Sequence, residues 1–237
     1  MQTLPPASER TTSPSRSTDI LRYPARSLLL LGGIPGAGKS TLLARLYGLT
    51  GTEEHTVLAA DGVRVVDSQA SRNRLTPWLR RLPYPAWRWV VHVMHYCRVI
   101  AALRSGGPVI VHDSATRRAV RLLLGGYCRL RRVEVHLLLL DVDPTAARVG
   151  QLVRGRMVTA HSFRTHERRW RRLLTAGSCG GPSAVVPGAA SLLVLDRARA
   201  GRLDGIHFQS VPAPVHGPAM RVLTCPAVYS AALLAPL

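Results

Sequence analysis

The sequence predicts a doubly wound α/β fold, with a mostly parallel five-stranded sheet covered by helices on both faces. Three observations lead there. Short apolar runs alternate with longer stretches of helical period, the pattern of strands joined by helical crossovers. The runs are continuous and not alternating, as strands buried on both faces require. The first run also leads into a glycine-rich loop that opens a helix.

Taken in order, residues 1–25 are rich in Ser, Thr, Pro and Arg without apolar period, and are expected to be a flexible arm. Strands are expected at Ser27 to Leu31, Thr56 to Ala60, Val109 to His112, Val133 to Leu140 and Ser191 to Leu195. Helices are expected at about 39–48, 86–104, 117–130, 144–153, 162–175 and 197–205. Residues 209–237 carry five prolines and no acidic residue, so the folded domain is expected to span 26–208, with a poorly ordered tail after it.

The chemistry begins in the loop Gly33-Ile34-Pro35-Gly36-Ala37-Gly38-Lys39-Ser40, followed by Thr41. This is a P-loop in its required strand, loop and helix context. Its glycines let backbone N–H groups converge on phosphate oxygens, and the helix N-terminus adds partial positive charge. Lys39 is expected at the β- and γ-phosphates of ATP and Ser40 on Mg²⁺. Lys39 is the only lysine in the chain. A sequence that uses arginine everywhere else keeps here the compact ammonium that fits between phosphates.

Asp113 closes the run from Val109 and is read as a second magnesium ligand, acting through water, or else as a helix cap. Residue 114 is Ser, so the glutamate that would activate a hydrolytic water is missing there. Asp61 and Arg64 follow the second expected strand; a carboxylate there can accept a hydroxyl proton, and an arginine one turn on can hold the acceptor. The plainer reading makes them a cap and a surface charge. Arg154 and Arg156 flank Gly155 and suit a hinged lid over the nucleotide, whereas Arg168, Arg169, Arg171 and Arg172 suit a solvated face. His92 and His95 lack further ligands nearby and are read as packing residues. Trp78, Trp87 and Trp89, set among arginines, are read as a flap buried against the core, with a single-strand clamp as the alternative.

The charge of +19, from 32 basic against 13 acidic residues, admits a polyanionic partner such as nucleic acid, although a general arginine bias accounts for part of it. The four cysteines form no close pair, which suggests reduced thiols and a cytoplasmic setting. No apolar run is long enough to cross a membrane.

Together, Gly33 to Ser40, Asp61-x-x-Arg64, the strand ending at Asp113 and Arg154-Gly155-Arg156 resemble the P-loop kinase group. That group includes polynucleotide 5′-hydroxyl kinases, zeta-toxin-like kinases and small bacterial AAA-type ATP-binding proteins. The resemblance spans roughly residues 27–206. It implies a P-loop NTPase fold, ATP and Mg²⁺ as donor, Asp61 as the base and Arg64 and Asp113 on the acceptor side. It further implies a lid arginine at 154 or 156, and Asp196-Arg197-Ala198 close to the adenine. The function expected is γ-phosphoryl transfer to a hydroxyl on a nucleic-acid end or a small molecule. The alternative is an ATP-switched nucleic-acid-binding module without transferase activity.

Overall fold

The computed structural model describes residues 19–153, 155 and 158–209. Arg154 and Arg156 lie outside the described residues, as do 1–18 and 210–237. The described chain runs β1 (Asp19–Pro24), β2 (Ser27–Gly33), α1 (Lys39–Tyr47), β3 (Val57–Leu58), β4 (Arg64–Asp67), α2 (Ser68–Leu79), α3 (Tyr84–Arg104), β5 (Val109–His112), α4 (Arg118–Leu130), β6 (Glu134–Leu140), α5 (Pro144–Val153), α6 (Ala160–Val185), β7 (Ala189–Leu195), α7 (Arg197–Arg202) and β8 (Leu203–Gln209).

Six strands form the main sheet in the order β3-β4-β5-β2-β6-β7, all parallel except β3. Every residue of β2 is buried, because this strand lies between β5 and β6 and has side chains packed on both faces. Leu28 to Leu31 face Val109 to His112 on one side and Val135 to Leu138 on the other. Fully burying one such leucine contributes about 1.5–3 kcal/mol, so this run anchors the core. Five of the six strands are parallel: four of them, β2, β5, β6 and β7, fall on expected strands, and the fifth, β4, does not.

The expected strand at 56–60 differs from the observed one. Val57–Leu58 is only the edge β3, paired with β4 through a turn in which the Ala59 amide donates to Val63 and the Gly62 amide to Ala59. The strand next to β5 is β4, with Asp67 opposite His112. Helix α2 has no counterpart among the expected helices. Asp67 caps it by accepting from the Gln69 amide, and Pro77 falls inside its last turn.

The arm expected to reach residue 25 stops short of it. Asp19–Pro24 is a strand that pairs in parallel with β8 as a separate two-stranded ribbon. Backbone hydrogen bonding, not apolar period, orders this segment, and Tyr23 adds ring contacts to His136 and Phe208, with centroids 4.7 and 5.8 Å away. The helix expected at 162–175 is the longer α6, bent where Gly181 leaves the helical region at φ 69° ahead of Pro182. No helix among the described residues is long and apolar enough to cross a membrane.

Candidate active site

The parallel strands β2, β4, β5 and β6 end together, and the residues that follow them build the site. Gly33 ends β2 and the chain turns through Ile34 to Gly38 into α1. Gly38, the residue ahead of that helix, is left-handed at φ 102°. Gly36 is left-handed at φ 90°, and a Cβ there would lie 2.0 Å from the Ala147 carbonyl oxygen of α5. The loop therefore passes α5 at a distance only glycine permits. Lys39 is buried, and its ammonium donates to the Gly33 and Ile34 carbonyls at 2.7 and 3.1 Å. Ser40 and Thr41 are exposed in the first turn.

Asp113 follows β5, with its amide donating to the Leu31 carbonyl. Its Oδ2 accepts from the Tyr96 hydroxyl at 2.6 Å, and its Oδ1 accepts from the amide and hydroxyl of Ser114 at 2.5 and 3.2 Å. Desolvation works to raise its pKa, but these hydrogen bonds and the nearby His95 hold it below the ordinary carboxylate range. The Asp113 carboxylate and the Ser40 hydroxyl are both oxygen donors, the kind that a hard cation such as Mg²⁺ prefers. In that respect the residues fit the metal.

The structure separates Asp61 and Arg64 from this cluster. Arg64 pairs with Val109 at the start of β5 and donates to the Gly106 carbonyl at 2.5 Å, at the end of the sheet opposite the P-loop. Asp61 is an exposed turn residue whose Oδ1 accepts from the Val63 amide at 3.2 Å. A hairpin turn stands where the sequence predicts a strand end. The signal available for it is the Asp61-Gly62 dipeptide within a largely apolar run, since Asp-Gly favours tight hairpin turns.

Asp67 occupies the position expected of Asp61. It is buried at the C-terminal end of β4, with Oδ1 2.8 Å from His112 Nδ1 and 2.9 Å from the Gln69 amide. Burial opposes ionisation, but His112, the Gln69 amide and His95 outweigh it and bring its pKa down to about 2. Both contacts fall on Oδ1, and Oδ2 accepts no hydrogen bond among the described residues.

His95 of α3 lies near both carboxylates. It is 1% exposed and neither ring nitrogen has a hydrogen-bond partner among the described residues. Burial lowers its pKa to about 4 against the pull of Asp113 and Asp67, so it is neutral at pH 7. One turn earlier, His92 Nε2 accepts from Arg117 at 2.7 Å. Its pKa is about 4 through burial and the charges of Arg117 and Arg88. Of the tryptophans, Trp87 is buried, as a flap packed on the core requires, while Trp78 and Trp89 are exposed.

On the other side of the loop, Gln151 joins both ends of the segment 152–157 to the P-loop. Its amide donates to the Pro35 carbonyl at 3.0 Å, and its Oε1 accepts from the Val158 amide at 3.0 Å. Across α5 and α6, Arg148 stacks on Phe163 with 4.7 Å to the ring centroid. A cavity of about 410 Å³ opens beside the loop, walled by Gly38 and Thr41, by Val149 and Val153 of α5, and by Arg197 and Ala200 of α7. Arg197 lines it, but Asp196 is spent as the cap of α7, accepting from the Arg199 amide. Trp170 Nε1 donates to Asp141 at 2.9 Å behind the loop, where the Trp170 ring also approaches Gly32.

The sequence model of the family described as AAA domain matches residues 28–176. Those residues run from β2 to within α6 and include the P-loop, Asp67 and Asp113. No curated protein matches the chain. Among solved structures, a chain from the PezAT chromosomal toxin-antitoxin system of Streptococcus pneumoniae is similar at 17% identity and TM-score 0.51, over 78% of this chain and 73% of that one. A gluconokinase from Sinorhizobium meliloti 1021 aligns at 15% identity and TM-score 0.38, over 76% and 89%. The tunicamycin resistance protein of Deinococcus radiodurans aligns at 18% identity and TM-score 0.38, over 61% and 80%. The first likeness bears on the fold alone, and the other two are too slight to bear on it.

Proposed function

The chain belongs to the AAA domain family, and from that premise we propose that it is a phosphotransferase moving the γ-phosphoryl group of ATP to a hydroxyl. One observation carries the reading: two carboxylates, the buried Asp67 and the half-buried Asp113, stand at the ends of the adjacent parallel strands beside the P-loop strand. In this reading the second carboxylate is the one that meets an acceptor, a role an ATP-only switch does not call for.

In this reading the P-loop amides and Lys39 hold the phosphates, and the 410 Å³ cavity beside Arg197 takes the adenine. Magnesium, held by Ser40 and through water by Asp113, would supply charge neutralisation at the β- and γ-phosphates. Asp67 receives the acceptor hydroxyl on Oδ2. At a pKa of about 2 it is ionised at neutral pH, and it orients the hydroxyl more than it drives deprotonation. That suits phosphoryl transfer, in which the nucleophile gives up its proton late and positioning supplies most of the rate. His112 fixes the carboxylate from behind. Tyr96 and Ser114 fix Asp113 in the same way. Arg154 and Arg156 would close over the phosphates as lid residues.

Incubation with γ-labelled ATP, Mg²⁺ and a panel of hydroxyl compounds tests the reading. We expect label on at least one acceptor, and background labelling with Lys39→Ala. A panel labelled no better by the wild type than by Lys39→Ala would end the transferase reading.

A further inference from the structure

Beyond Asp113 the same edge of the molecule turns strongly basic. A cavity of about 650 Å³ is lined by Arg117, Arg118 and Arg121, from the start of α4, and by Arg169 and Arg172 of α6. Among the described residues none of the five pairs with a carboxylate; the nearest basic side chain on α6 that does is Arg171, with Glu167. Arg121 donates to the Val185 and Ala115 carbonyls at 2.8 and 2.7 Å, and Arg117 to His92, so two guanidiniums are held in place.

The mutual repulsion registers on neighbouring groups. The Arg121 pKa is lowered by burial and by Arg118. His166, three positions before Arg169 on α6, has its pKa lowered to about 4, first by burial and then by Arg88, Lys39, Arg169 and Arg117 together. The cavity also adjoins the nucleotide site directly: Thr116 of its wall is 3.1 Å from the Ser114 hydroxyl, which in turn donates to Asp113. The first turn of α4 adds to the positive charge, since it carries no acidic residue and Arg117 at its cap position makes no side-chain capping bond.

We propose that this cavity binds a phosphate group of the acceptor, so that the acceptor is a phosphate-bearing hydroxyl compound; the inference rests on the transferase reading of the adjoining site. Guanidiniums gathered at one place without carboxylate partners repel one another, and an anion that accepts from several of them relieves that repulsion. A small phosphomonoester and the phosphodiester of an oligonucleotide offer the same chemistry.

The test is a calorimetric titration of the full chain, with the P-loop saturated by a non-hydrolysable ATP analogue and Mg²⁺. The titrants are glycerol 3-phosphate, a 5′-hydroxyl thymidine tetranucleotide and glycerol. We expect at least one phosphate compound to bind and glycerol not to. Binding of the tetranucleotide alone, weakening steeply with salt, identifies the phosphodiester source; binding of glycerol 3-phosphate identifies the monoester. The double variant Arg169→Gln, Arg172→Gln should weaken binding about tenfold or more per guanidinium removed. Arg104→Gln removes one such charge from the exposed end of α3, away from the cavity, and should leave binding unchanged. If the double variant does not fold, the exposed Arg118→Gln gives the same reading. Phosphate compounds that bind no tighter than glycerol, or that bind the arginine variants as they bind the wild type, overturn the proposal. The titration needs no turnover, so an unlabelled acceptor panel counts against transfer alone, and absent anion binding counts against this cavity alone.

Discussion

Two aspartates with similar sequence surroundings have opposite fates, and the difference lies in a hairpin turn. Asp61 is spent on the Val63 amide in that exposed turn, whereas Asp67, six residues on, is buried at a strand end beside His112. Asp67→Asn should lower kcat about 10²–10⁴-fold with little change in nucleotide affinity, while Asp61→Asn should leave turnover within about twofold. Steady-state kinetics on the two variants checks this. Much of the site is legible in the sequence: the P-loop and Asp113 stand where their flanking apolar runs put them. Asp67 is not, because the run from Val57 to Ala60 is more apolar than Arg64 to Asp67 and so predicts the inner strand. Burial of the less apolar strand is decided by its pairing with β5, which is a tertiary fact.

At the scale of elements, the P-loop works as a clasp between α1 and α5. Gly36 faces the Ala147 carbonyl, and Gln151 reaches back to Pro35 from the next turn. Gly36→Ala should force the loop off α5 and lower ATP-analogue affinity at least about tenfold, because its backbone must either move or adopt a costly left-handed angle. Calorimetry reads the affinity, and circular dichroism checks that the fold persists. Gln151→Ala should act more gently, raising the KM for ATP by a few-fold, on the order of one lost hydrogen bond. Neither contact is legible in the sequence, since a glycine's neighbours and a glutamine's partners depend on how α5 lies against the loop. The existence of α5 is legible from its apolar period alone.

For the whole molecule, neutral histidines held in buried or half-buried places set the response to acid. His92, His95, His136 and His166 all have pKa values near 4 where the ordinary value is 6.5, and burial is the leading cause in each. Between those values the unfolded chain binds protons that the folded one does not. Stability is therefore full above pH 6.5 and falls as pH drops toward 4. Asp67 extends the fall: its folded pKa of about 2 lies below the ordinary 3.8, so its contribution is present above about pH 4 and is lost toward pH 2. Urea midpoints at about pH 7, 5.5 and 4.5 should decrease in that order, and His95→Leu should flatten the first part of the decline.

The ribbon of β1 and β8 carries a further consequence, for the order in which the chain assembles. Asp19 pairs with Leu203, so the first described strand cannot find its partner until the last described one has been made. The main sheet contains neither strand and can close first, leaving the ribbon to form across the longest sequence separation of any strand pair described, the step that polymer entropy penalises most. The ribbon, with the α7 that leads into it, is also joined to the P-loop helix: Arg45 of α1 donates to the carbonyls of Ala200 and Gly201 in α7 and of Leu203 in β8, and Tyr47 to that of Ile206 in β8. Closure of the ribbon thus completes the support of the helix that begins with Lys39, because the bonds from Arg45 and Tyr47 can form only after residues 200–206 have been made.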